Sequence, residues 1–105
     1  MPTDDKKRLL QKAMVKRVLE GDGKASHAQR RAALDNAGLS EPLGGLVNKV
    51  AKFAYKVTDD DIAVAKASGL SEDELFEIII CAAIGEATRQ HETALTALDA
   101  VAMKE

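Results

Sequence analysis

The sequence predicts an all-α protein, a compact bundle of about five helices, on three observations. Helix-capping residues recur along the chain, apolar residues return every three to four positions, and no alternating apolar–polar run competes with them. Composition agrees: of 48 apolar residues, 18 are alanine and only three are aromatic (Phe53, Tyr55 and Phe76), which suits closely packed helices. The 105 residues read as one all-α domain, 1–105, with a basic helical segment over 1–39 and a core over 40–105.

Each element has its own signal. Thr3 is the expected cap of the first helix, with Asp4 and Asp5 in the first turn, where negative charge meets the positive end of the helix dipole. Its six basic residues must stay wet, so it should bury one side only, through Leu10, Met14 and Val18, before Gly21 and Gly23 stop it. Ser26-His27-Ala28-Gln29 has capping-box spacing and opens a short second helix ending near Gly38. Ser40-Glu41-Pro42 opens the third, with proline in the first turn, and the stripe Leu43, Leu46, Val47, Val50, Ala54, Val57 carries it onward. Thr58 with Asp59, Asp60 and Asp61 opens a fourth that ends at Gly69, and Ser71-Glu72-Asp73-Glu74 opens a fifth.

The fifth is the central helix. Apolar all round from Leu75 to Ile84, it should be buried in the bundle. Running unbroken from Ser71 to Met103 it would be about 50 Å long, whereas a compact chain of this size is roughly 35 Å across. The expectation is a bend or break, with Gly85 the place for it, or an end that projects into another subunit. Beyond Gly85 the stripe Ala87, His91, Ala94, Leu95, Leu98, Val101 needs a cover.

Composition also excludes classes of function. The longest apolar run, Ile78–Ile84, is seven residues, against about 20 for a bilayer span. The start, Met1 to Arg8, lacks the apolar stretch of a signal peptide, so a cytoplasmic protein with no membrane partner is expected. The lone Cys81 excludes an intramolecular disulfide. Residues 1–31 carry a balance of +5 and residues 32–105 one of −7, giving the net −2. A basic arm of that kind suits nucleic acid or an acidic partner, but it has no aromatic residue to stack bases, so a nucleic-acid partner is not the favoured reading.

Leu43 to Leu98 resembles the carboxymuconolactone decarboxylase and alkylhydroperoxidase D-like superfamily of small oligomeric all-α proteins. The residues carrying the resemblance are Ala54-Tyr55-Lys56-Val57-Thr58-Asp59-Asp60-Asp61-Ile62, then Ala65 to Leu75 (AKASGLSEDEL), then Cys81-Ala82-Ala83-Ile84-Gly85. It implies an alkylhydroperoxidase D-like core over 40–105 and is compatible with a trimer or hexamer, while a two-fold dimer is the commonest form of self-pairing. In that superfamily a Cys-x-x-Cys-x-x-x-His redox motif precedes the Gly-Leu-Ser-Glu segment. Its cysteines fall at Ala54 and Val57 of this chain and its histidine at Asp61, so the chain resembles a branch without the redox motif. A dithiol peroxidase needs one thiolate to attack peroxide and a second thiol to resolve the sulfenic acid. Ala54 and Val57 supply neither.

Three catalytic candidates remain. Cys81 could act as a single reactive thiol, but burial among isoleucines and Glu77 one turn earlier both raise a thiol's pKa, which favours core packing. Glu86 and His91 could serve acid–base chemistry, yet they stand five apart rather than at the three or four that align ligands on one helix face. No metal or cofactor is expected. Asp59-Asp60-Asp61 lacks the spacing and glycine of a calcium loop, and Gly44-Gly45 follows no strand. Glu86, Arg89 and Glu92 read as a solvated charge ladder. The sequence thus points to a non-catalytic homo-oligomer acting by binding or assembly, with its final third at the interface. The alternative is an enzyme of the same superfamily using Cys81, Glu86 or His91.

Overall fold

The computed structural model describes residues 2–103 and the side chains of residues 6–102. Five α-helices follow one another: α1 (Pro2–Glu20), α2 (His27–Asp35), α3 (Leu43–Lys52), α4 (Asp59–Ala67) and α5 (Glu72–Met103), with a 3₁₀ turn at Ala54–Lys56 between α3 and α4. No strand occurs among the described residues.

Local chemistry sets most helix starts. Ser26 and Gln29 form the reciprocal capping box of α2, and Thr58 and Asp61 form that of α4. At α5 the Ser71 hydroxyl accepts from the Glu74 N–H, and the Ser71 N–H donates to the Glu74 carboxylate. α2 ends on Asn36 in the left-handed conformation (φ 53°), a role asparagine tolerates better than most residues. α1 begins at Pro2, so its helix already includes Thr3; the side chains of Thr3, Asp4 and Asp5 lie outside the described residues. At α3, Pro42 occupies the cap position rather than the first turn, and the Glu41 carboxylate accepts from the Gly45 N–H at 3.0 Å.

α3 is shorter than its apolar stripe. It stops at Lys52, the chain turns at Phe53, and Ala54 is exposed in the 3₁₀ turn while Val57 packs against the core from an extended conformation. A period-four pattern persisted in the sequence because both segments touch the same core, not because one helix joins them.

α5 is continuous through Gly85 over 32 residues, and the molecule measures 54 × 29 × 20 Å. Gly85 therefore marks a close approach and not a break: a Cβ there would overlap the carbonyl oxygen of Leu34 on α2. That approach makes α2–α5 the most extensive helix pair of the fold. The core is Ala25, Ala33, Leu34, Leu43, Leu46, Val47, Ala65, Leu75, Ile78, Cys81 and Ala82. It contains no aromatic residue, since Phe53, Tyr55 and Phe76 are all exposed. Nor is α5 buried all round from Leu75 to Ile84, because Phe76 is 64% exposed and Ala83 lies at the surface.

α1 lies antiparallel against α5, since Val18 meets Cys81 and Gln11 meets His91. Its buried side is Val15, Val18 and Leu19, with Leu10 (68% exposed) and Met14 (51%) left out. The expected face was therefore rotated. Apolar residues surround much of this helix, and the side that α5 meets decides which of them are covered.

Candidate functional site

Cys81, Glu86 and His91 all sit on α5, and the structure does not bring them together. Ten residues separate Cys81 from His91, about 15 Å along the axis. Five residues turn a helix by about 500°, so Glu86 and His91 leave the axis in different directions. Glu86 reaches α3, where its carboxylate meets Lys52 Nζ at 3.2 Å, and His91 faces α1.

Each of the three is occupied. Cys81 is buried, and its thiol donates to the carbonyl oxygen of Val18 at 3.5 Å. Burial pushes the thiol up from its ordinary value; Arg30 opposes this and Glu77 adds to it. A thiol so placed is neither ionised nor reachable. Glu86 is only 9% exposed. Burial would raise its carboxyl, but hydrogen bonds from Gln90, Arg89 and Lys52 outweigh burial and hold it below the ordinary value. The expected solvated ladder of Glu86, Arg89 and Glu92 is instead a half-buried node. Arg89 bonds Glu86 at 3.0 Å and donates to the Leu34 carbonyl oxygen at 2.7 Å. His91 Nδ1 stands 2.9 Å from the Gln11 side-chain amide, within hydrogen-bond distance.

The positions that the superfamily motif would fill hold no reactive group. Ala54 opens the 3₁₀ turn and Val57 follows it, and Asp61 is consumed by structure. Its carboxylate accepts from the Thr58 N–H and from Lys49 Nζ at 3.0 Å, and these bonds hold it below the ordinary value. Among the described residues no three of His, Cys, Asp and Glu converge as a metal site. No family model, curated protein or solved structure matches the chain.

A second polar node escaped the sequence reading. Arg30 is 3% exposed; its Nε donates to the Ala25 carbonyl at 3.1 Å and another guanidinium nitrogen donates to the Gly21 carbonyl. Glu77 on α5 accepts from the N–H groups of Lys24 and Ala25, and stands 4.0 Å from Arg30. The loop between α1 and α2 is thus clasped by one buried cation and one carboxylate. Gly23 fits beneath them, where a Cβ would meet both side chains at 2.5 Å. The partners of Glu77 lie 52 and 53 residues away in sequence, so no local pattern announces them.

An open groove of about 620 Å³ lies between α1 and α5. Arg8, Lys12 and Lys16 line it together with Glu20 and Glu92, so it offers no single charge to a ligand. A different surface is chemically uniform. Over Phe76, Ala83, Ala87, Ala94 and Val101, with the half-buried Ile80 at its border with α1, this side of α5 carries no charged residue, although 30% of the chain is charged. Leu98 on its flank is 64% exposed and Val101 59%. Uncharged surface of this length, apolar except for the exposed Gln90, is characteristic of protein–protein contact.

Proposed function

We propose that this chain is a non-catalytic, homo-oligomeric helical protein that acts by binding or assembly. The observation that carries this reading is the uncharged face of α5 from Phe76 to Val101, which stays exposed although α5 is the centre of the fold. Exposure of all three aromatic side chains supports it, because aromatic residues are enriched in protein interfaces. We further propose that the chain is a branch of the alkylhydroperoxidase D-like superfamily that has lost its redox residues, a reading supported by Ala54 and Val57 at the motif positions and by the segment Gly69 to Leu75.

Light scattering coupled to size exclusion tests assembly. A multiple of the 11.2 kDa chain mass is expected, and a folded monomer at micromolar concentration overturns the reading. The absence of catalysis is tested with an organic hydroperoxide and a dithiol reductant. No turnover is expected; turnover abolished by Cys81→Ser would be decisive against it.

A further inference from the structure

We propose that two copies of this chain pair through α5 in antiparallel orientation, about a two-fold axis lying between residues 88 and 89. This rests on the self-assembly proposed above and adds its geometry.

The exposed face has a stricter pattern than amphipathicity demands. From Phe76 the positions step by four and three alternately to Ile80, Ala83, Ala87, Gln90, Ala94, Ala97 and Val101. That is a heptad seam sustained over 26 residues, and seven of its eight members are apolar. All are exposed except the half-buried Ile80. Such a seam accepts another helix of the same spacing, side chains of one entering gaps of the other. A second copy of α5 is such a helix.

Side-chain size selects the orientation. Bulk lies at the two ends, in Phe76 and Ile80 and in Leu98 and Val101, with alanines between. Antiparallel pairing about residues 88 and 89 places Phe76 opposite Val101, Ile80 opposite Ala97, Ala83 opposite Ala94 and Ala87 opposite Gln90. Phe76 and Ile80 then each face a smaller residue, and only the two Ala83–Ala94 layers are alanine alone. Parallel pairing would set Phe76 on Phe76 and Ile80 on Ile80 beside layers of alanine alone, forcing the helices apart where alanines need them close.

Polar groups agree. Gln90, the one polar member, donates to Glu86 at 3.1 Å and its amide oxygen accepts no bond among the described residues. In the antiparallel pair the two Gln90 side chains sit only about 4.5 Å apart along the axis, within reach of each other across the two-fold. A single polar residue in an apolar seam penalises slipped registers. Charge disfavours the parallel pair, which would set the acidic first turn of α5 (Glu72, Asp73, Glu74) against itself.

The area suffices when α1 contributes. A strip about 38 Å long and one helix wide gives about 380 Å² per copy. Leu10 and Met14 share a face of α1 with Arg17, which lines the same small cleft as Ile80, so they border the seam. α1 has 19 residues, about 28 Å of helix, so it adds at most about 280 Å² and brings the area to about 660 Å² per copy, within the roughly 600–1,000 Å² per partner of standard interfaces.

Variants with one added cysteine test the register, with the wild-type chain and its buried Cys81 as control. Opposed residues fall within disulfide reach, about 7 Å between Cα atoms or less. Residues 83 of the two copies stand about 16 Å apart along the axis. Ala83→Cys and Ala94→Cys, each alone, should give a non-covalent dimer of twice 11.2 kDa and no disulfide. Co-expressed, they should form a disulfide in about half of the chains, the share that random pairing places in mixed dimers. Cross-linking of each variant with itself, or a dimer with no cross-link in the mixture, overturns the antiparallel register while leaving self-assembly standing. A monomer for both variants and wild type overturns both.

Discussion

From Glu72 to Arg89, α5 has α2 and α3 against it; from Gln90 onward the neighbour it keeps is α1, at His91. The first half is fixed by shape and by buried polar bonds: Gly85 under the Leu34 carbonyl, Arg89 donating to that same carbonyl, and Glu77 holding the loop before α2. The second half is fixed by less. Among the described residues α1 makes no ion pair with α5, and Leu9, Leu10 and Met14 face solvent. One helix therefore serves two purposes. Its start specifies the fold of the chain, and its end supplies surface.

The sharpest way to break this contrast is at Gly85. Gly85→Ala sets a methyl group onto the Leu34 carbonyl and should cost about 3 kcal/mol or more, read as the shift in urea midpoint. An unchanged midpoint would mean that α2 can move away freely. Next in size, Ile78→Ala removes a fully buried side chain and should cost about 2–5 kcal/mol. Leu98→Asp, a harsher chemical change in the outer half, should alter the stability of the isolated chain by only about 0.5 kcal/mol while dissociating the assembly on size exclusion. Comparable unfolding costs at the two sites would erase the distinction between halves.

Acid should act first on the fixed half. Glu77 is held below its ordinary value near 4.5, chiefly by the Ala25 N–H, with burial opposing and Lys24 and Arg30 helping. A carboxyl lowered on folding adds stability that is fully present above the unfolded value and is lost as pH falls through the folded one. Denaturation midpoints should therefore be level near neutrality and drop below about pH 4.5. Glu77→Gln should flatten that drop and cost about 1 kcal/mol at neutral pH after solvent screening. The smallest effect is kinetic: backbone amides of residues 6–18 should exchange faster than those of residues 75–84, as measured by hydrogen exchange, and the reverse order would contradict the ranking.

What was legible in the sequence follows the same division between near and far. Ser26 with Gln29, Thr58 with Asp61 and Ser71 with Glu74 are three residues apart, so their hydrogen bonds follow from spacing alone. The all-α class and the number of helices came with them. The end of α3, the buried side of α1 and the purpose of Gly85 all depend on what another helix presents, and periodicity is blind to that. Arg30 and Arg89 look like surface charges in sequence, because the backbone carbonyls that receive them (Gly21, Ala25, Leu34) become acceptors only once turns and helix ends are in place. Cys81, Glu86 and His91 were conspicuous as residue types, but their partners Val18, Lys52 and Gln11 lie on other helices and account for each one without a reaction.

The single thiol lends the molecule a clock of its own. Cys81 is sealed beneath α1 by Val18, so a maleimide can label it only during moments when that helix lifts from α5. The labelling rate, divided by that of an unfolded chain, counts those moments directly. Because Leu10 and Met14 lie on the outer side of the same helix, a partner seated there would slow the clock without touching the sulfur.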